Sequence, residues 1–116
     1  AEQDAIKEAI KNVLAMLAEC YVRNDDPTVL TILLDSSHPN RVRQKAAEMI
    51  GDIGEVGAIE PLRNAKFGNE VVQKEVDTAI SKIHARNFTR ECPFCAEIIK
   101  KRAEICKHCG KEVSGI

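Results

Sequence analysis

The chain has little aromatic content: among its 116 residues there is no tryptophan, one tyrosine and three phenylalanines. Because β-strands favour aromatic and β-branched side chains, this composition argues against a large β-sandwich or barrel. No apolar run approaches the roughly eighteen residues that indicate a membrane-spanning helix. The formal net charge is only −1, so overall electrostatics favours no class of partner. An apolar leader segment is also missing, and we expect a soluble, cytoplasmic protein.

The sequence also lacks the groupings that indicate catalysis. A general base needs positioned partners, yet His38 precedes a loop proline and His84 falls at a predicted helix end. Each is therefore expected to be a surface side chain. A glycine-rich loop of the kind that holds phosphate groups is missing as well. We therefore expect that the protein is not an enzyme.

Four of the five cysteines lie in the last quarter of the chain, in two pairs separated by ten residues. Cys92 and Cys95 flank Pro-Phe, and Cys106 and Cys109 flank Lys-His. Tetrahedral zinc takes soft ligands about 2.3 Å from one point, and each two-residue turn aims two sulfurs at that point. The spacing predicts a zinc site with these four cysteines as metal ligands. Four thiolates leave no open position, which indicates a structural site and not a catalytic one.

Other interpretations of the cysteines stay open on the sequence alone. Iron binds the same four thiolates, so the spacing does not separate it from zinc. Disulfides would require an oxidising compartment, and a thioredoxin-like redox pair would normally lie in a βαβ unit, which the pattern lacks. His108 lies between two ligands and could replace one, although with four thiols present we expect it to be solvated. Cys20 is predicted to be a small buried side chain of a helix.

The segment from residue 92 onward contains too few apolar side chains for a core of its own. A segment this short usually needs a metal ion or disulfides to hold a fold. Structural zinc contributes roughly 10–16 kcal/mol of apparent binding free energy, which is released on folding. We therefore expect the segment to be disordered without metal. Its apolar side chains are Phe94, Ile98, Ile99, Ala103, Ile105, Val113 and Ile116.

The first three quarters of the chain show the three-four spacing of amphipathic helices. The first predicted helix spans residues 4–22 and ends before the turn at 24–27, where a proline removes a backbone donor. A short apolar helix at 28–36 and a longer one at 41–53 follow. One face of the first helix carries Ile6, Ile10, Val13, Leu14, Leu17 and Tyr21.

The pattern of the second and third helices returns thirty residues later. Two helical hairpins at a constant offset are typical of an α-solenoid. We predict a mainly α fold in which residues 1–84 form a short solenoid with an N-terminal helix. So few repeats leave an apolar flank exposed, which makes a homo-oligomer one candidate assembly. The matched pairs are Val29/Ile59, Ile32/Leu62, Val42/Val72, Ala46/Val76, Ile50/Ile80 and Ile53/Ile83.

The runs VRQKAAEMIGDIG (42–54) and AIEPL (58–62) belong to a repeat, over roughly residues 27–84, that resembles the HEAT-like helical repeats first described in phycobilin lyases. The resemblance implies a binding scaffold, carries no implication of lyase activity, and implies that Arg43 pairs with an aspartate such as Asp35. The second unit has Gln73 in place of the arginine and Ser81 in place of a glycine, which indicates a terminal, capping repeat. The residues that carry the resemblance are Val42-Arg43, Ala46-Ala47, Ile50-Gly51 and Pro61-Leu62.

A second resemblance, to a short bacterial and archaeal zinc-ribbon module, lies in the runs CPFCAEIIK (92–100) and CKHCG (106–110). It implies two metal-binding turns with short hairpin elements, supports all four thiols as ligands, and is nearly silent on function. One departure is Ile98, where the family usually has a glutamate. We place the zinc-ribbon domain at residues 88–116, with residues 84–91 as the link to the helices.

Charge is distributed unevenly between the two parts. Residues 1–84 have a net charge of −4 and residues 85–116 one of +3. A zinc ion with four thiolates would bring the ribbon to about +1, which is weak for a dedicated nucleic-acid binder. The leading hypothesis is a scaffold that binds another protein through its helical repeats, with a structural zinc ribbon. Nucleic acid is the alternative partner, through the basic set Lys100, Lys101, Arg102, Lys107 and Lys111, with Phe88 and Phe94 for stacking.

Overall fold

The computed structural model describes residues 2–114, with side chains from Asp4 onward. The chain divides into two compact units, one ending at Ile83 and the other beginning at His84. No helix among the described residues is both long and apolar enough to cross a membrane. Ile116, one of the apolar residues considered for the ribbon, lies outside the described residues.

The first unit is helical, which confirms the prediction of a mainly α chain. Helix α1 spans Glu2–Val22, and the first hairpin after it consists of α2 (Asp26–Leu34) and α3 (Asn40–Ile53). A short 3-10 turn then leads into α4 (Ile59–Asn64). Helix α5 spans Glu70–Asn87, so its last turn belongs to the second unit.

Short polar side chains define where two of the helices begin. Asp25 precedes α2, and its carboxylate accepts from the backbone N–H of Thr28 at 3.3 Å and from the Thr28 hydroxyl at 2.8 Å. Asn69 precedes α5, and its side-chain oxygen accepts from the N–H groups of Val71 and Val72 at 3.0 and 3.1 Å. These bonds satisfy N–H groups that a helix cannot satisfy within itself.

The thirty-residue offset is present both in the element boundaries and in the core. Helix α2 begins thirty residues before the 3-10 turn at Val56–Ala58, and α3 begins thirty residues before α5. Five of the six matched pairs are buried at both members, while in the sixth Ile53 is only half-buried. Burial at equivalent positions means that the two hairpins direct the same face to the interior.

Arg43 is the one charged residue that is buried among the described residues, with 5% of its surface exposed. Its Nε donates to the Leu33 carbonyl oxygen at 2.8 Å, and its guanidinium lies 5.1 Å from the centre of the Phe67 ring. The expected direct pairing with Asp35 is not formed. That carboxylate instead accepts from the hydroxyl and N–H of Ser37, and these bonds lower the pKa of Asp35 below its usual value, with a smaller effect from the charge of Arg43. The guanidinium therefore joins α2 to the loop before α5.

Helix α1 is only partly covered by the rest of its unit. Leu17 and Cys20 are fully buried, which confirms the prediction for Cys20. Ile6 and Tyr21 lie on the predicted apolar face, yet they are 52% and 40% exposed. The apolar flank expected of a chain with two hairpins is therefore found on α1.

The second unit contains a two-stranded antiparallel sheet and a very small core. Strand β1 (Thr89–Glu91) pairs with β2 (Ile98–Lys100), and an isolated bridge joins Ile105 to Glu112. The stretch predicted to link the two parts, residues 84–91, holds the last turn of α5 and all of β1. The buried cluster of the unit consists of Cys92, Ile99, Cys106 and Val113, so half of it is thiol.

Gly54, at the end of α3, has no room for a side chain. A Cβ at this position would meet the Ile50 carbonyl oxygen and would lie 2.9 Å from Cδ1 of Ile83. Because the first of these atoms is backbone, we expect Gly54→Ala to lower the free energy of unfolding by about 1–3 kcal/mol, as overpacking usually does. Thermal denaturation followed by circular dichroism measures the change. Gly57→Ala is the control, since a Cβ there meets nothing within 4 Å; equal melting temperatures for the two variants would contradict the prediction.

Candidate metal centre

The four cysteines predicted as ligands come together at one point of the second unit. All four sulfurs lie within 4.8 Å of one another. Cys92 Sγ is 3.8 Å from Cys109 Sγ, and Cys95 Sγ is 3.6 Å from Cys106 Sγ. Bonds of about 2.3 Å to a tetrahedral ion separate sulfurs by about 3.8 Å, so the cluster has the size that such an ion requires.

All five cysteines of the chain are free thiols. The sulfurs of a disulfide lie about 2.05 Å apart, so the two sulfur–sulfur distances given above are those of neighbours and not of bonded atoms. The donor set therefore fits a metal ion, and zinc and iron remain equally compatible with the distances.

The two CxxC turns that carry the sulfurs have the same backbone hydrogen bonds. In the first turn the N–H of Cys92 donates to the Glu97 carbonyl at 2.8 Å, and the N–H of Ala96 donates to the Cys92 carbonyl at 2.9 Å. The equivalent bonds of the second turn measure 2.9 and 2.8 Å. The fifth residue of each turn has a positive φ, 63° at Ala96 and 76° at Gly110. This reversal of the chain directs both cysteines of a turn to the same point.

Backbone N–H groups also point at two of the sulfurs. The N–H of Phe94 lies 3.4 Å from Cys92 Sγ, and the N–H of His108 lies 3.4 Å from Cys106 Sγ. Such donors favour the thiolate form, which is the form that binds metal. His108 therefore contributes its backbone N–H to the site. The residue is exposed, as expected if its side chain replaces none of the four cysteines.

The thiols of the cluster compete for negative charge. Burial tends to raise the pKa of Cys92, yet the surrounding backbone N–H groups outweigh it and lower that pKa to about 6. The N–H of Glu97 favours the thiolate of Cys95, but burial and the neighbouring sulfurs raise the pKa of Cys95 to about 12. Four adjacent sulfurs therefore cannot all be charged near neutral pH without a cation. A bound metal ion would remove this constraint by displacing the remaining protons.

Arg90, on β1, holds the second unit together beside the cluster. Its guanidinium donates to the carbonyl oxygens of Lys101 at 3.2 Å, Ala103 at 3.3 Å and Val113 at 2.8 Å. These acceptors lie 11, 13 and 23 residues away along the chain. No short-range pattern in the sequence indicates these contacts, because the three acceptors are distant along the chain.

His84 is the second residue whose role the sequence did not reveal. Its Nδ1 lies 2.8 Å from the Thr89 hydroxyl oxygen, and its Nε2 lies 3.5 Å from a carboxylate oxygen of Glu91. The side chain is only 13% exposed, so the expectation of a surface histidine is wrong here. It ties the last turn of α5 to β1 within the second unit. His38 is half-buried and lies 3.6 Å from the carboxylate of Asp35.

No family model, curated protein or solved structure matches this chain. The structure establishes a mainly helical chain with a cluster of four cysteines that could hold a metal ion.

Replacing Gly110 would strain only the backbone. A Cβ there would meet no atom within 4 Å, but the φ of 76° is a left-handed conformation that other residues rarely adopt. A left-handed conformation costs an L-residue about 1–2 kcal/mol. Because metal binding and folding of the unit are coupled, we expect Gly110→Ala to weaken zinc affinity about five- to thirty-fold. Competition with a chromophoric chelator measures the affinity. Ala96→Gly, which removes the same strain from the first turn, should not weaken zinc binding, and an unchanged affinity of Gly110→Ala would refute the argument.

Arg90→Lys keeps the charge but loses the planar fork that reaches three carbonyl oxygens. Because bonds from a charged donor contribute roughly 1.5–3 kcal/mol each, we expect zinc affinity to fall at least about tenfold. The same chelator competition provides the measurement. Arg102→Lys is the matched control, since Arg102 is exposed and should tolerate lysine. A parental affinity for Arg90→Lys would show that the three bonds do not stabilise the unit.

Proposed function

We propose that this protein is a non-enzymatic interaction module. In this proposal a short HEAT-like solenoid binds another protein, and a C-terminal zinc ribbon is stabilised by a structural metal ion. The observation that carries the proposal is the cluster of four sulfurs within 4.8 Å of one another. Four thiolates complete a tetrahedral shell, so a bound ion would have no position for a substrate.

The small size of the ribbon core supports a structural role for the metal. Beside two thiols, the buried cluster in the described part of the unit contains two aliphatic side chains, Ile99 and Val113. Phe94 and Ile105, two of the few apolar side chains of the unit, are 51% and 64% exposed. A unit with so little apolar burial depends on other interactions for its stability. Zinc suits this role because it has no redox chemistry, and five free thiols fit a reducing compartment such as the cytoplasm.

The repeated core of the helical unit supports the HEAT-like assignment. Equivalent positions thirty residues apart are buried in both hairpins, and buried Arg43 bridges the first hairpin to Phe67 in the second. Stacked helical hairpins leave long helix surfaces available to partners. Helix α1 adds apolar side chains to that surface, with Ile6 half-exposed and Val22 80% exposed.

Nucleic acid is the second candidate partner, and the basic side chains of the ribbon are the observation that favours it. Single-strand binders stack successive bases on several aromatic rings. In the ribbon, the Lys111 ammonium lies 4.8 Å from the centre of the Phe94 ring and covers one face of it. Phe88 is then the main ring available for stacking within the described part of the unit. The aromatic platform is therefore small, and a protein partner is the better supported proposal.

Metal content and its removal test the structural role. Protein purified under reducing conditions should contain about one zinc ion per chain, because four thiolates fill one tetrahedral shell. A strong chelator should collapse the dispersed amide resonances of residues 89–114, whereas those of α1 to α5 should persist, since the helical unit has its own core. Elemental analysis and amide correlation spectra provide the measurements.

Matched cysteine variants sharpen this test. Cys109→Ser should lose most of its zinc at equilibrium with a chelator, whereas Cys20→Ala should keep parental stoichiometry, because Cys20 is buried in the helical unit. If the purified protein absorbed visible light and contained one iron ion per chain, the metal would be iron instead of zinc. The structural role proposed for the metal would be unchanged. Metal-free protein under reducing conditions, or a ribbon that stays folded after chelation, would overturn the proposal.

A further inference from the structure

One face of the ribbon combines exposed apolar side chains with cations. A groove of about 530 Å³ lies against β2 and the segment after it, and a second depression of about 770 Å³ adjoins it, sharing Lys100 and Arg102. The groove is lined by aliphatic and basic residues, and the depression by Phe88 and basic residues. We name this surface the basic–apolar face and define it by Phe88, Ile98, Ile105, Lys100, Arg102 and Lys107.

The apolar residues of this face are not used by the ribbon core. Phe88 is 75% exposed and Ile105 is 64% exposed, in a unit that has few large side chains to bury. Phe88 also has a φ of 54°, a left-handed conformation that is a genuine outlier for a bulky residue and is usually taken by Gly or Asn at the end of a helix. A large apolar side chain held outward at an unfavourable backbone position points to binding.

The cations of the face have no acidic partner of their own. No carboxylate among the described residues lies within 4.0 Å of the charged groups of Lys100, Arg102 or Lys107. The nearest acidic residue along β1, Glu91, instead contacts His84. Three unneutralised cations around an apolar surface are complementary to a ligand that carries carboxylates next to apolar side chains.

We propose that the basic–apolar face binds a short acidic segment of a partner protein, in which aspartate or glutamate residues alternate with aliphatic or aromatic ones. The apolar side chains of the segment contact Phe88, Ile98 and Ile105, and its carboxylates meet Lys100, Arg102 and Lys107. This inference rests on the proposed function as a protein-binding module and adds the ribbon as a second recognition surface beside the helical unit.

The lining favours a peptide over nucleic acid. The groove beside β2 is lined by aliphatic and basic residues, among them Ile98, Ala103 and Ile105, and no aromatic ring lines it. Aliphatic side chains offer contact area to aliphatic partners, whereas bases need flat aromatic faces to stack. A polyanion would satisfy the cations and leave most of the apolar surface without a partner.

The test uses the zinc-loaded full chain and three fluorescein-labelled probes in an anisotropy titration. The first probe is a short peptide of alternating aspartate and leucine. In the second, serine replaces leucine at the same charge, and the third is an oligothymidylate of similar length. We expect the aspartate–leucine peptide to bind at least about tenfold more tightly than the aspartate–serine peptide, and more tightly than the oligothymidylate at physiological salt.

Two pairs of variants distinguish binding at the basic–apolar face from non-specific attraction of the peptide to the positive charge of the ribbon. Phe88→Asn should weaken binding of the first peptide about tenfold or more, and because asparagine tolerates the left-handed conformation the ribbon should stay folded. Phe94→Asn makes the same change outside the face and should bind as the parent does. Arg102→Glu should weaken binding by a similar factor, whereas Lys111→Glu changes the net charge equally and should have little effect. Zinc content confirms that each variant is folded.

Three results would overturn the inference. Equal weakening by Arg102→Glu and Lys111→Glu would mean that only net charge matters. Absence of binding to the aspartate–leucine peptide at millimolar concentration would remove the ribbon as the recognition surface, while zinc binding and a role for the helical unit would stand. Tighter binding of the oligothymidylate, with log affinity falling steeply as log salt rises, would assign this face to nucleic acid and overturn the inference, while protein binding by the helical unit would stand.

Discussion

The convergence of four sulfur atoms within 4.8 Å is the constraint around which the second unit is organised. Each pair of sulfurs comes from one tight turn, and each turn reverses the chain through a residue with positive φ, Ala96 or Gly110. Strands β1 and β2, which flank the first turn, are only three residues long and add few hydrogen bonds. Arg90 supplies cross-links that the short sheet cannot, because its fork reaches three carbonyl oxygens on separate stretches of chain.

The second unit combines four thiols that could hold a metal ion with a surface that carries large apolar side chains. A domain that folds by apolar burial must place its large apolar side chains inside. The ribbon buries Ile99 and Val113, and it leaves Phe88 and Ile105 in contact with solvent. Phe88 and Ile105 are therefore large apolar side chains that the core of this unit does not use. The basic side chains Lys100 and Arg102 lie on the same surface.

The helical unit is stabilised in a different way, by apolar side chains that recur at a constant offset along the chain. Five pairs of equivalent positions are buried in both hairpins. Gly54 has no space for a Cβ, because the Ile50 carbonyl oxygen of the same hairpin and the Ile83 side chain of the other one both lie too close. Arg43 adds a buried polar contact, and its position above the Phe67 ring lets the charge be partly satisfied by the π-system while Nε bonds to the backbone.

The sequence by itself determined the candidate ligand set and the helices. The spacing of two CxxC turns identifies four cysteine sulfurs that can meet at one point. Apolar residues that recur with a period of 3.6 indicate which side of a helix is buried. The tertiary structure alone decided the acceptors of Arg90, the burial of His84, the replacement of Asp35 by Leu33 as the partner of Arg43, and the exposure of Phe88 and Ile105. These features depend on where distant stretches of backbone pass one another. Spacing along the chain carries no record of that path, because a carbonyl oxygen is present at every residue and only the fold selects which of them a side chain meets.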